Sequence, residues 1–163
     1  MLAQFDKVYN EKYRDKIKGR DINEIMTVAS IVEREARTDG DKENVASVIY
    51  NRLEAGMPLQ MDSILAYITG EDKIKASLED TEVESSYNPY KNKGLPPGPI
   101  CSPGEKAIEA AMNPKDTDYL YFVATEKLDG TNVFSETYEE FLKDKAKFNK
   151  AYNEYIKKHP DKK

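Results

Sequence analysis

The sequence predicts a mostly helical α+β domain with one small β-hairpin and a long proline-rich loop. Apolar residues recur every three or four positions in several segments, which is the spacing of half-buried helices. A run of aromatic and β-branched residues at 119–123 is typical of a strand, Asp129-Gly130 is a turn signal, and residues 132–135 can return as the hairpin partner. With 163 residues, the chain is long enough to bury the core of one domain.

The first part of the chain predicts two adjacent helices. Residues 1–20 are charged and are expected to form a leading helix or a connection to an upstream segment. A capping-box pattern at Asp21 and Glu24 precedes an apolar stripe, so a helix is expected over residues 22–37. A second apolar stripe follows a polar turn, and Gly56 is placed to end that helix. We expect the two helices to pack side by side.

The middle of the chain predicts an extended segment, a short helix and a long loop. Pro58 prevents a helix over residues 57–62, so this segment should be extended before a helix from Ser63 to Gly70. Residues 85–103 are rich in proline and read as an ordered loop. Loops of this length inside a compact domain are usually functional.

Two helix starts are predicted from capping patterns in the last third of the chain. The segment Ser102-Pro103-Gly104-Glu105 combines an N-cap serine, a proline at the first helical position and a capping-box glutamate. The helix that it predicts should end near Asn113-Pro114. A second capping box, Thr137 with Glu140, opens a charged helix that is expected to reach about Lys158.

Composition excludes several classes of function. The formal net charge is −5 with both signs interspersed, which argues against a nucleic-acid partner. Cys101 is the only cysteine, so an internal disulfide or a thiolate metal cluster is impossible. No apolar run approaches the roughly 18 residues of a membrane span, so a soluble chain is expected, either whole or as a fragment. With His159 as the only histidine and no Walker loop or HExxH motif, we expect no metal and no cofactor.

Carboxylates remain as candidates for the chemistry. Burial raises a carboxyl pKa toward the operating pH, which suits such a group to proton transfer. Glu33 and Glu35 flank the apolar stripe of the first predicted helix at similar angles, so the helical wheel does not choose between them. The alternative is that both are ordinary boundary residues that pair with Arg37 or Lys42.

A series of motifs resembles one known family. The segment Ala29-Ser30-Ile31-Val32-Glu33-Arg34-Glu35 is similar to the A-S-I-V-E-x-E signature of the MltG/YceG-like endolytic murein transglycosylases. Further motifs follow in that family's order, and the match covers residues 24 to about 142. These motifs are Asn44–Leu53, Gly56–Asp62, Tyr87–Tyr90, Gly94–Gly104, and Tyr119–Val123 with Phe134-Ser135.

The resemblance implies an activity and a catalytic residue. Residues 21–142 would form a catalytic domain, with residues 143–163 as a charged helix and tail. This domain would cleave the MurNAc-GlcNAc β-1,4 bond of peptidoglycan glycan strands and leave 1,6-anhydromuramyl ends. Carried over by position, the catalytic glutamate falls on Glu33, which would act as both acid and base. Glu35 then becomes a supporting residue at the substrate or a structural one.

The resemblance also implies a substrate cleft. Gln60 and Asp62 would line it and bind sugar hydroxyl and acetamido groups, although Asp62 has an alternative role as a helix cap. Tyr87, Asn88 and Tyr90 would pack on sugar rings or bind the N-acetyl group, unless they only hold the proline-rich loop in place. The proline-rich loop itself would form a wall of the cleft.

The resemblance also implies a cellular location and partners for the intact protein. The intact protein would carry a membrane anchor upstream of this chain and work on the extracytoplasmic face, near cell-wall synthases of the elongation or division machinery. The chain departs from the family pattern at Asn132 and Phe141, where histidine is frequent. It also departs at Met61, where a small hydroxyl residue is common, and at Pro89, within the family's Y-N-T-Y pattern.

Two other functions stay open. One is a peptidoglycan-binding or scaffold domain without chemistry. The other is an ordinary hydrolase that uses Asp62 as its second carboxylate and produces reducing ends.

Overall fold

The computed structural model describes Lys7, Asn10, Glu11, Arg14 and residues 19–70 and 77–160. The predicted leading helix or connection over residues 1–20 lies outside the described residues apart from these few positions. The elements of the described part are α1 (Ile22–Glu35), α2 (Asp39–Glu54), α3 (Asp62–Thr69), α4 (Leu78–Thr81), α5 (Glu105–Met112), β1 (Tyr121–Ala124), β2 (Asn132–Ser135) and α6 (Tyr138–Lys158). The predicted α+β class, mostly helical with a small hairpin, is confirmed.

Helix α1 is the centre of the fold. It packs against α2, α3 and α5, so the predicted packing of the first two helices side by side is confirmed. Its apolar stripe, including Val28, Ile31 and Val32, is fully buried. Each such side chain stabilises the fold by roughly 1.5–3 kcal/mol relative to an exposed one. The helix that carries Glu33 and Glu35 is therefore held rigidly by the core.

Several helices begin or end at capping residues that are adjacent to them in the sequence. The Asp21 side chain accepts a hydrogen bond from the Asn23 amide at 3.0 Å, as expected for an N-cap. Helix α1 ends at Glu35 because Ala36 is extended, so it is two residues shorter than predicted. Gly70 ends α3 in the left-handed conformation with φ of 73°. The capping box of Thr137 and Glu140 is confirmed, with both of its hydrogen bonds present.

The predicted start of α5 at Ser102 is wrong. Helix α5 begins at Glu105, and its N-cap is Gly104, which is extended and offers no side chain. Distant contacts set this start, because the preceding residues are tied to α1. The Ile100 amide donates to Ser30 Oγ at 3.0 Å, and Cys101 Sγ donates to the Ser30 carbonyl at 3.3 Å. The predicted end near Asn113 is confirmed.

The hairpin closes the fold on the side of α2 and α6. Strand β1 pairs with β2 in antiparallel register, with Phe122 opposite Phe134. The strand begins two residues later than predicted, although the Leu120 amide still donates to the Ser135 carbonyl at 3.0 Å. The short helix α4 was not predicted. Among the described residues, every helix is too short or too polar to cross a membrane.

Candidate active site

Glu33 lies near the end of α1 with its carboxylate beside the start of α5. The residue is half-buried. A Cβ atom built on Gly104 would lie 3.6 Å from Glu33 Oε2 and 3.9 Å from Oε1. Within the described part of the chain, Glu33 makes no hydrogen bond or ion pair. Its carboxylate therefore lies next to the residue that precedes α5 and, among the described residues, has both oxygens free to accept a hydrogen bond.

The ion-pair alternative for the two glutamates is not observed. Lys42 binds Asp39 instead, with Nζ 3.1 Å from Oδ1. Arg37 lies against the hairpin turn, where a Cβ on Gly130 would be 3.5 Å from its side chain. Neither cation pairs with a glutamate of α1.

Glu35 points to a different neighbour. Its Oε1 accepts a hydrogen bond from the Ser63 amide at 3.1 Å, so it caps the first turn of α3. Burial raises the pKa of Glu35, the nearby charge of Asp62 adds to that effect, and the hydrogen bond with Ser63 opposes it. The fold thus separates two glutamates that the helical wheel placed symmetrically: Glu33 faces Gly104 and Glu35 faces α3.

The segment before α3 contains no helix, as predicted, but it is not extended throughout, because Gln60 has a left-handed backbone and Asp62 already belongs to α3; both side chains are exposed. Gln60 is exposed and has a positive φ of 51°, which is uncommon for a residue other than glycine. Its amide donates to the Pro89 carbonyl at 3.2 Å. Asp62 is the first residue of α3, and the N-cap is Met61. The alternative role of Asp62 as a side-chain cap is therefore not observed.

Arg52 anchors this segment and was missed by the sequence analysis. Its Nη1 donates to the carbonyls of Pro58 at 3.1 Å and Leu59 at 2.8 Å, and its Nε donates to Leu120 at 2.6 Å. The side chain is buried on α2. An arginine at the end of an otherwise apolar helix stripe was the available signal, because buried cations need several acceptors.

Asn88 holds the proline-rich loop together. The residue is fully buried. Its Nδ2 donates to the carbonyls of Thr81 at 2.9 Å and Val83 at 2.8 Å, and its Oδ1 accepts from the Tyr90 amide at 2.8 Å. With both ends of the amide engaged, the structure favours the loop-fixing alternative for Asn88.

The two tyrosines beside Asn88 differ in their surroundings. Tyr87 is half-buried against Tyr67, with ring centroids 5.2 Å apart. The Tyr90 hydroxyl donates to Asp62 Oδ1 at 3.2 Å. Burial raises the pKa of Tyr90, and Asp62 raises it further, so the hydroxyl remains a donor at neutral pH. The structure therefore brings Asp62, Tyr90 and Glu35 together at the start of α3.

The two residues that stand where the family often has histidine make structural contacts. The Asn132 amide donates to Asp41 Oδ2 at 2.8 Å, which joins the hairpin to α2. Phe141 stacks on Tyr121 with ring centroids 5.4 Å apart, which joins α6 to the hairpin.

Comparison with known proteins decides the family. The sequence model described as the YceG-like family matches residues 1–147. The chain belongs to the YceG-like family. The expectation drawn from the A-S-I-V-E-x-E signature is thereby confirmed.

Individual relatives of this YceG-like chain are longer than it is. The endolytic murein transglycosylase of Bacillus subtilis (strain 168) is 43% identical over 148 residues, which are 90% of this chain and 41% of that protein. That of Streptococcus pneumoniae serotype 2 (strain D39 / NCTC 7466) is 43% identical over 130 residues, 76% of this chain and 24% of that protein. The chain thus spans less than half the length of these relatives.

A solved structure supports the fold. The crystal structure of a yceG-like protein from Listeria monocytogenes matches with a TM-score of 0.78 and 45% sequence identity. The match covers 83% of this YceG-like chain and 45% of the Listeria chain.

Proposed function

We propose that this chain is the catalytic part of an endolytic peptidoglycan transglycosylase, with residues 21–142 as the catalytic unit and Glu33 as its acid and base. The observation that carries the proposal is the free carboxylate of Glu33, half-buried on a rigid helix and open beside Gly104. The names of the relatives at 43% identity support the same activity.

One carboxylate is sufficient for the proposed reaction. Neutral Glu33 protonates the bridging oxygen of the MurNAc-GlcNAc β-1,4 bond as that bond breaks and positive charge develops at the muramyl anomeric carbon. Ionised Glu33 then takes the proton of the C6 hydroxyl of the same sugar, whose oxygen bonds to the anomeric carbon. The product carries a 1,6-anhydro ring, and Glu33 is again neutral, so protons balance over one turnover.

Exposed polar groups near the start of α3 suit the binding of the glycan strand. Gln60 offers an amide for sugar hydroxyl and acetamido groups, held in an uncommon backbone conformation of the kind that recurs at functional sites. Asp62 and the ring of Tyr90 offer a carboxylate and an aromatic face. Tyr87 contributes through the shape of the loop, and Glu35 acts by holding α3 in place.

The location of the intact protein follows from the proposed substrate. Peptidoglycan lies outside the cell membrane, so a transglycosylase acts on the extracytoplasmic face. Enzymes that synthesise glycan strands during elongation or division are then its natural partners.

The nature of the new chain ends tests the proposal. Purified glycan strands are incubated with the wild-type chain, with Glu33→Gln and with a control, Glu43→Gln, which alters an exposed glutamate on α2. Mass spectrometry identifies the ends. Wild type and control should produce 1,6-anhydromuramyl ends, and Glu33→Gln should produce none.

Other products would point to the other functions. Reducing ends would replace the proposal with a hydrolase in which a second carboxylate, such as Asp62, activates water. Binding of strands by the wild-type chain without any cleavage, in this chain and in a longer version of the protein, would favour a binding or scaffold domain.

A further inference from the structure

We infer that Gly104 determines access to Glu33: the absence of a side chain at this position leaves the space through which the C6 hydroxymethyl group of the muramyl sugar reaches the carboxylate. The inference rests on the proposed function and adds a residue to which the reaction scheme gave no role.

Backbone conformation does not require glycine at this position. Gly104 has φ of −76° and ψ of 167°, an extended conformation that any residue adopts. The residue is also exposed. A side chain would therefore cause no backbone strain, so the backbone conformation alone does not call for glycine.

The space beside Gly104 is in front of Glu33. The three heavy atoms nearest to a Cβ built on Gly104 all belong to this one side chain: Oε2 at 3.6 Å, Cδ at 3.9 Å and Oε1 at 3.9 Å. A methyl group would thus contact both oxygens of the carboxylate. A hydroxyl that gives its proton to Glu33 must come within about 2.6–3.2 Å of one of these oxygens. The methyl group and the hydroxymethyl group of the substrate would compete for the same volume.

The loop cannot easily move away to relieve this competition. Ser30, on the same helix as Glu33, binds the Ile100 amide at 3.0 Å and the Cys101 thiol at 3.3 Å. Helix α5 follows directly and packs on α1 and α2. Gly104 is therefore held at its distance from Glu33 on both sides.

Glycine is also not the best capping residue for this position. Gly104 is the N-cap of α5, a position where serine, aspartate or asparagine would accept a hydrogen bond from the helix. Each of these residues would bring a Cβ and a polar group to the Glu33 carboxylate. With glycine at position 104, the helix lacks a side-chain cap, and the Glu33 carboxylate is not covered by a side chain from this position.

The test compares Gly104→Ala with Gly40→Ala. Gly40 is also exposed, its φ is not positive, and a Cβ built there meets no atom within 4 Å. Initial rates of anhydromuramyl-end formation, binding of a GlcNAc-MurNAc tetrasaccharide and thermal unfolding are measured for both variants and the wild type. Gly104→Ala should lose at least about tenfold in kcat/KM, with an unfolding midpoint lowered only slightly because alanine is a poorer N-cap than glycine, and Gly104→Val should lose more activity. Gly40→Ala should match the wild type in rate and binding.

Each result decides the inference. If Gly104→Ala cleaves strands at the wild-type rate, the inference is wrong and the proposed function stands. If Gly104→Ala fails to fold, the position has a structural role that the inference denies, and the inference is wrong. If the wild-type chain neither cleaves the strands nor binds the tetrasaccharide, the proposed function fails and the inference fails with it.

Discussion

The carboxylate of Glu35 accepts a hydrogen bond from the Ser63 amide at 3.1 Å, so a side chain of α1 caps the start of α3. This contact connects the helix that carries Glu33 to the helix that begins with Asp62. Because the Tyr90 hydroxyl donates to Asp62, the proline-rich loop is connected to the same point. Contacts with α1 therefore help to position the surface that we propose binds the glycan strand.

Replacement of Glu35 by glutamine should change how stability depends on pH. Burial raises the pKa of Glu35 in the folded chain above the ordinary carboxyl value. In the interval between these two values, the folded chain holds a proton that the unfolded chain has lost, so stability falls as pH rises through it. Glu35→Gln cannot ionise, and it should remove this decline while keeping an acceptor for Ser63.

Urea unfolding between about pH 4 and pH 8 measures this effect. Glu43→Gln, at an exposed position, is the control and should keep the wild-type pH profile. A Glu35→Gln profile parallel to that of the wild type would show that Glu35 titrates alike in the folded and unfolded chains.

Replacement of two serines should show whether Ser30, which binds the loop, or Ser102, which was predicted as the N-cap, stabilises the start of α5. Ser30→Ala leaves the buried Ile100 amide without its acceptor, which should cost about 1–3 kcal/mol of unfolding free energy. Ser102→Ala should change stability by less than about 0.5 kcal/mol, because Gly104 is the N-cap of α5. Denaturant unfolding measures both values, and a larger loss for Ser102→Ala would reinstate Ser102 as the cap.

Replacement of Arg52 by lysine should destabilise the fold although the charge is kept. Lysine cannot reproduce the planar fork that reaches the carbonyls of Pro58, Leu59 and Leu120. The expected loss is about 1.5–3 kcal/mol, the range for hydrogen bonds to charged groups. Exposed Arg37→Lys is the matched control and should be neutral in the same unfolding assay. Equal stability of the two variants would mean that the fork is not needed.

Alkylation of Cys101 should report the charge of Glu33. Burial raises the pKa of the Cys101 thiol, and the negative charge of Glu33 raises it further. Glu33→Gln should therefore lower this pKa, so that iodoacetamide reacts faster at a given pH because the thiolate is the reactive form. The rate is followed against pH by mass spectrometry, with Glu43→Gln as the control. Identical rate profiles for wild type and Glu33→Gln would contradict the proximity of the two side chains.

Features with short-range causes were predictable from the sequence. The capping box of Thr137 and Glu140 and the end of α3 at Gly70 were found as expected, and Asp129-Gly130 forms a bend in the loop that joins β1 to β2. Each depends on hydrogen bonds or backbone preferences within a few residues, so the relevant information is adjacent in the chain. The family motifs also allowed Glu33 to be predicted as the candidate acid.

Features with distant partners needed the folded chain. Periodicity put Glu33 and Glu35 at similar angles on one helix, and only Gly104 and Ser63, which lie far along the chain, give them different surroundings. The start of α5 was predicted wrongly because its preceding loop is tied to Ser30. A side chain's neighbours across the fold depend on how whole elements pack, and no local pattern contains that information. Local sequence patterns therefore specified the long helices, the hairpin and the carboxylate candidates, while tertiary packing decided the start of α5 and which carboxylate stays free.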